Sequence, residues 1–303
     1  MATNNFKAFG IGAGANVTSQ SDYETLAALL TGFQSGKASS AQINKALRQS
    51  STMAFVLAQF ISDSASVDVL DNGTPATILA NLKAGMTTLT PGRLLNVQIF
   101  TASGTYIPTA GTKSVVVEAA GGGGGGGGTF TTSSGQRACA GGGGAGGAGR
   151  GRYTSGFSGV AVTIGQGGAG GAANTNAAGG SGGATSFGSL LTCSGGGGGT
   201  FGSNWAMPIH TTGGTSGTPT GQNVSPLAAI PGRSGYYANN GWLSCEGSSS
   251  PYGRGGAQAG GTSVGAAAIG YGCGGGGAVT GDSATGQIGG AGSNGVVIVW
   301  EYA

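Results

Sequence analysis

Ser114-Val115-Val116-Val117-Glu118-Ala119-Ala120 runs without a break into eight consecutive glycines, Gly121 to Gly128. Of these first seven, Ser114 to Glu118 read as a β-strand, being compact and β-branched. The eight that follow fit no ordinary element. Glycine loses more backbone freedom on ordering than any other residue, so isolated oligoglycine reads first as a flexible linker. Three features oppose that reading here. Further runs recur at Gly141–Gly144, Gly195–Gly199 and Gly274–Gly277. They adjoin apolar residues. Strong strand signals bracket the whole region. Collagen is excluded, because glycine does not fall at every third position. What remains is polyglycine in the polyproline II conformation, which has three residues per turn and no internal hydrogen bonds. Bare helices of this kind can approach closely and pair N–H with C=O between neighbours, satisfying buried backbone.

Working outward, ten of the 71 glycines precede Gly121, which leaves 61 in residues 121–303, a stretch without lysine. Val160-Ala161-Val162-Thr163-Ile164 alternates as a strand, and so does Val97 to Thr101. Thr105-Tyr106-Ile107 is a further strand, ended by Pro108. Val296 to Tyr302 gives the strongest strand signal. Pairing of the first and last strands would bring Phe100 and Trp300 near one core.

Upstream, residues 1–90 read as helical. Ser21-Asp22-Tyr23-Glu24 has the form of a capping box, with Leu26, Leu29 and Leu30 as the apolar face and Gly36 as the stop. A longer helix runs from about Ser40 to Asp63, with Ile43, Leu47, Ser50, Ala54, Leu57 and Ile61 inward. Their spacing alternates four and three, the rhythm of packed helices. Either one amphipathic helix within its own domain or a homotrimeric bundle satisfies it. Asp71-Asn72-Gly73 is a turn, and Thr74-Pro75 opens a third helix with Ile78, Leu79, Leu82 and Met86 on its apolar side. Pro91-Gly92 marks a turn. The expected organisation is a helical region over 1–90, a connector over 91–96, and a glycine-rich domain over 97–303. The expected fold class is mainly β and irregular: an N-terminal helical region, then a glycine-rich β domain with packed polyglycine II-type helices.

Charged residues are only 7% and the net charge is +3, with the cations scattered. That is not the footprint of a nucleic-acid binder. The N-terminus has no secretory signal pattern and no run of apolar residues is long enough for a membrane helix, so folding in a cytosol is expected. Cys139, Cys193, Cys245 and Cys273 form no C-x-x-C pair. A reducing compartment argues against disulfides, so the cysteines read as small buried apolar residues.

Catalysis has little to stand on. His210 is the only histidine, and no nucleophile, zinc-protease or phosphate-loop motif occurs. Past residue 121 the carboxylates are Glu246, Asp282 and Glu301, a thin supply for a glycan-cleaving pair. No catalytic residue, metal or cofactor is expected. Residues 200–254 instead interrupt the glycine with Phe201, Trp205, His210, Arg233, Tyr236, Tyr237, Trp242, Tyr252 and Arg254, set among turn residues. Loop aromatics offer stiff contact area with a polar handle. A receptor-binding surface and a satellite core are both open readings. Arg150-Gly151-Arg152-Tyr153 with Phe157 is a second candidate, because arginine forks suit phosphate.

The order of motifs is similar to that of a known family. Phe100 to Glu118 followed by Ala119-Ala120 and polyglycine resembles the opening of the glycine-rich domain of phage tail-fibre proteins. So do Val162-Thr163-Ile164-Gly165-Gln166-Gly167-Gly168, Gly182-Gly183-Ala184-Thr185-Ser186-Phe187-Gly188, and the ending from Gly292 to Tyr302. Residues 20–86 look like the helical N-terminal region of prophage fibres. The resemblance implies a virion protein, assembled in the host cytoplasm, that binds a bacterial surface receptor: a glycan or lipopolysaccharide, or an outer-membrane protein. It also implies a homotrimer joined to baseplate or tail proteins through its N-terminal region. A related theme is the tip adhesin of T-even-like phages, where packed polyglycine helices present variable loops. This chain departs from those adhesins in carrying its own helical region. The alternatives are a structural connector and a tail-associated depolymerase.

Overall fold

The computed structural model describes residues 2–34, 39–204, 209–238, 241–242, 246–258 and 260–303. The chain forms two compact units, Met1–Pro91 and Gly92–Ala303.

The first unit is helical. Helix α1 (Gln20–Glu24) is capped by Ser19, whose hydroxyl accepts from the Asp22 amide at 3.2 Å. The cap therefore lies two residues before the expected Ser21, and Glu24 instead accepts from the Gln20 side chain. This helix ends at Glu24, and a separate turn, α2 (Ala28–Thr31), follows. Leu29 and Leu30 are exposed rather than packed. Gly36, the expected stop, lies outside the described residues.

Helix α3 (Ser40–Ala65) matches its expected span, but its inward face matches only in part. Of the expected inward residues, Ile61 is buried and Ala54 half-buried, but Ile43, Leu47, Ser50 and Leu57 are exposed, and Ala58 is buried in their place. The core is made with α4 (Pro75–Thr88), so it selects the α3 side that meets α4: Ala58 and Ile61 pack with Val69, Phe6, Ile78 and Leu82. Leu79 and Met86 on α4 are exposed. Thr74 precedes α4 as expected, yet its side chain makes no capping bond; the Asn72 side chain accepts the Thr74 amide instead, at 3.3 Å. Gly85 sets the approach of the two helices, because a Cβ there would collide with Ser64.

The second unit is built on antiparallel sheets, and the described residues are 17% helix and 22% strand. Its main sheet runs, in order, Leu94–Phe100, Val296–Tyr302, Ser114–Ala120, Ala148–Tyr153 and Ser225–Leu227. Alternation decides the faces. Val115, Val117, Ala119, Val297 and Val299 point inward and are buried; Val116, Glu118, Ile298, Trp300 and Tyr302 take the other side and are half-buried. A second sheet orders Pro219–Thr220, Leu191–Cys193, Thr185–Phe187, Ala161–Thr163 and Gly104–Thr105. Between the two lies the largest apolar cluster, including Tyr106, Tyr153, Phe157, Val162, Phe187 and Leu191. Tyr106 sits just past its short strand and bonds the Val160 carbonyl.

The first and last strands of this unit do pair, but Phe100 and Trp300 do not share a core. Phe100 stands opposite Val297 and Trp300 opposite Val97. The odd separation sends them to opposite faces. Phe100 joins the main cluster, while Trp300 lies beneath the Arg150 guanidinium, 5.9 Å from the ring centroid.

Most of the remaining backbone belongs to neither helix nor strand, and buried amides there need partners. The central glycine run finds them with a period of three. The amides of Gly121, Gly124 and Gly127 donate to Gly147, Gly144 and Gly141. Those of Gly122 and Gly125 donate to Gly183 and Gly180, and those of Gly123 and Gly126 to Ser293 and Gly290. In return, the carbonyls of Gly122, Gly125 and Gly128 accept from Gly196, Gly199 and Gly202. Gly168 and Gly171 donate to Gly123 and Gly126, and Gly275 and Ala278 to Gly124 and Gly127. One run thus meets six neighbouring segments. The spacing leaves no room for side chains: a Cβ at any of Gly121 to Gly128 would overlap a neighbouring carbonyl.

Cys193 and Cys273 are buried free thiols, as the sequence reading expects. Cys139 is buried too, but it is disulfide-bonded, which corrects that reading; its partner lies outside the described residues. Cysteine pairing follows which segments the fold brings together, and local spacing carries no sign of it.

Candidate binding surface

The glycine segments carry the chain away from the main sheet and back. Gly121 follows the strand at Ala120, and Gly128 leads into the far end, where Thr129 bridges to Gly202. Side chains reappear there, and they are hydrogen-bonded to one another. Thr129 and Thr280 share a buried 2.5 Å bond between hydroxyls. The Asn174 side chain accepts from the Thr131 amide at 2.7 Å and hydroxyl at 3.0 Å, from a left-handed backbone (φ 57°). Arg137 pairs with Asp282 at 2.7 Å. That bond, with others from the Ser283 hydroxyl and the Gly135 amide, holds the Asp282 carboxyl below its ordinary range.

The predicted aromatic residues divide between two places. Phe201 lies at the far end, edge-on to Phe130 with 6.1 Å between centroids. A small sheet of Ile209–Thr211, Gly235–Ala238 and Gly241–Trp242 gathers four more. Tyr236 stands opposite His210, while Tyr237 stands opposite both Ile209 and Trp242. The Thr211 hydroxyl ties this sheet to the Cys139 carbonyl at 3.1 Å, and Gly235 is held tight against the Cys139 sulfur. Arg233 pairs with Glu246 at 3.4 Å and its side chain is largely exposed. Trp205 lies outside the described residues.

Tyr252 and Arg254 are elsewhere. Their strand, Tyr252–Arg254, forms a hairpin with Ile269–Tyr271 that packs on the outer face of the main sheet. The Tyr252 hydroxyl donates to Glu118 at 2.9 Å, and Glu118 also pairs with Arg150 at 3.4 Å. Burial and the adjacent Glu118 charge push the Tyr252 hydroxyl well above its ordinary pKa. Of the second candidate group, Tyr153 and Phe157 are buried, and the Tyr153 hydroxyl donates to the carbonyls of Leu190 and Gly221.

Phe130, the Arg137–Asp282 pair and Asn174 belong to the far-end surface and were not singled out from sequence. Asp282 lies 145 positions after Arg137, so no local pattern joins them. Glu246 and Asp282 are each paired to an arginine. Among the described residues no group of three or more His, Cys, Asp or Glu side chains is placed to hold a metal ion. No protein-family model matches this chain, and no curated protein matches it.

Proposed function

We propose that this chain is a phage tail-fibre adhesin, not an enzyme, that binds the bacterial surface through the loops at the far end of its glycine segments. On this reading those segments are packed polyglycine II-type helices. The hydrogen-bond period of three supports this, since polyproline II geometry has three residues per turn. So does the steric exclusion of every side chain along the central run.

The observation that carries the reading is the segregation of residue types along the second unit. The central run tolerates no side chain, whereas Phe130, Phe201, His210, Tyr236, Tyr237, Trp242 and Arg233 fall on short strands and loops at the far end. A rigid stand that presents aromatic loops suits recognition, because aromatic side chains give large contact area at low entropic cost. The receptor is a surface glycan, lipopolysaccharide or outer-membrane protein. Nucleic acid is not a partner, and no cofactor is required.

The N-terminal unit attaches the fibre to baseplate or tail proteins and joins three copies, in a virion assembled in the host cytoplasm. Exposed Ile43, Leu47 and Leu57 on α3, at spacings that are sums of four and three, support a bundle between copies. Fluorescent full-length protein incubated with a panel of bacterial strains tests the adhesin reading. Saturable labelling of at least one strain is expected. Labelling of none would favour the structural connector.

A further inference from the structure

The two arginines of Arg150-Gly151-Arg152 part company in the fold. Arg150 is committed to Glu118 and to the face of Trp300. Arg152, on the same strand and the same outer face, is exposed and has no carboxylate partner among the described residues. Among the described residues its guanidinium donates only a long 3.5 Å bond, to the Ser114 hydroxyl. It lines a groove of about 280 Å³ with Gly92, Val116 and Tyr302. That size is close to the lower end, about 300 Å³, of small-ligand sites. Val116 is the register neighbour of Arg152, and Tyr302 lies opposite Ser114 on the next strand. The floor is therefore apolar and aromatic, and one wall is cationic.

Charge balance singles out this groove. Residues 92–303 hold seven Lys and Arg against four Asp and Glu. Glu118, Glu246 and Asp282 are each paired with an arginine, and Glu301 is buried among neutral donors. Of the cations with no carboxylate partner among the described residues, Arg93 and Lys113 flank the groove. The Arg93 carbonyl accepts the Ala303 amide, and the Lys113 amide donates to Tyr302. Both side chains are exposed. Arg93, Lys113 and Arg152 thus gather positive charge around one concave, partly aromatic surface, while Arg254, also without a carboxylate partner among the described residues, lies apart on the Tyr252–Arg254 strand.

We propose that this groove binds a phosphorylated sugar unit of a bacterial surface glycan. The phosphate sits on the Arg152 fork and the sugar ring lies against Tyr302 and Val116. An arginine fork matches phosphate geometry bidentately. This site is separate from the far-end loops, and only the source of its ligand rests on the adhesin reading.

Calorimetric titration of the full chain at low salt, with glucose 1-phosphate, glucose and inorganic phosphate as separate probes, tests it. Glucose 1-phosphate should bind more tightly than either fragment, by about tenfold or more, because ring and phosphate contribute together. Arg152→Gln, at an exposed position, should keep its circular dichroism and lose about tenfold or more in affinity. Raising the salt should weaken binding by the wild type. Three results would overturn the proposal: no binding by the wild type, equal affinity for inorganic phosphate and the sugar phosphate, or unchanged affinity in Arg152→Gln. If cells are labelled but glucose 1-phosphate is not bound, the groove fails and the adhesin stands. If the sugar phosphate is bound but no strain is labelled, the groove stands and the adhesin fails.

Discussion

Gly124 approaches Gly197 so closely that a β-carbon on Gly124 would overlap the Gly197 carbonyl. The same glycine donates its amide to Gly144 at 2.9 Å and accepts from Gly275 at 2.9 Å. A single methyl group would therefore push apart backbone that is hydrogen-bonded on several sides, and backbone cannot step aside as a side-chain tip can.

Gly124→Ala should destabilise the second unit by about 3 kcal/mol or more, the upper range for overpacking. Gly260→Ala is the control: nothing lies within 4 Å of a Cβ there, and its backbone is not left-handed. Gly260→Ala should change stability by no more than about 0.5 kcal/mol. Thermal unfolding of the two variants beside wild type checks both. Equal melting temperatures would mean that the glycine segments are loosely packed.

The buried Glu301 carboxylate should make the second unit acid-sensitive. Burial alone raises its pKa, but hydrogen bonds from Thr109, from the Tyr106 hydroxyl at 2.7 Å and from Gln98 at 2.8 Å outweigh burial and hold it below the ordinary value. A folded-state pKa below the unfolded one gives stability that is complete above the unfolded pKa, about 4.3 for glutamate. That stability is lost as pH falls through the folded value. Glu301→Gln should lower the urea midpoint at neutral pH and flatten its dependence on pH below about 4.3. Parallel pH profiles for variant and wild type would contradict this.

The Cys193 thiol is buried among the main-cluster residues, and burial pushes its pKa up to about 12. Thiolate is the reactive form, so almost none exists at pH 8. Folded protein should leave Cys193 unmodified by iodoacetamide, whereas urea-unfolded protein should be alkylated there. Peptide mass spectrometry reads the difference. Rapid native labelling would show that the two sheets separate.

In the first unit, Gly85→Leu should force α4 away from Ser64 on α3. The small cluster of Ala58, Ile61 and Val69 would open, at a cost of about 1–3 kcal/mol. Loss of helical circular dichroism at a lower temperature is the expected sign.

How much of this was legible in the sequence depended on whether the signal was local. Val296–Tyr302 and the run from Ser114 alternate or run apolar within a few residues; the first strand appears where expected, and the second starts where expected but continues two residues past Glu118, to Ala120. Helix α3 was legible in span but only in part in facing: Ile61 turns inward as expected, whereas Ala58 does so because α4 packs on that side. The glycine runs announce tight backbone packing, yet nothing in Gly121–Gly128 says that Gly144, Gly180 and Gly290 are its partners. Composition found the aromatic segment. It could not tell Tyr252, hydrogen-bonded to Glu118, from Tyr236, opposite His210 at the far end. The Arg137–Asp282 pair and the Cys139 disulfide join distant parts of the chain and left no local trace.

The central claim is that the far-end aromatic loops bind the bacterial surface. Its most direct test compares labelling of a susceptible strain by wild-type protein and by a variant carrying Trp205→Ala, Tyr237→Ala and Trp242→Ala, after circular dichroism shows that both fold. Wild type should label the cells, and the variant should lose that labelling by about tenfold or more, as expected when aromatic anchors are removed from an interface. Equal labelling by both proteins would contradict the loop assignment, and no labelling by wild type would contradict the adhesin itself.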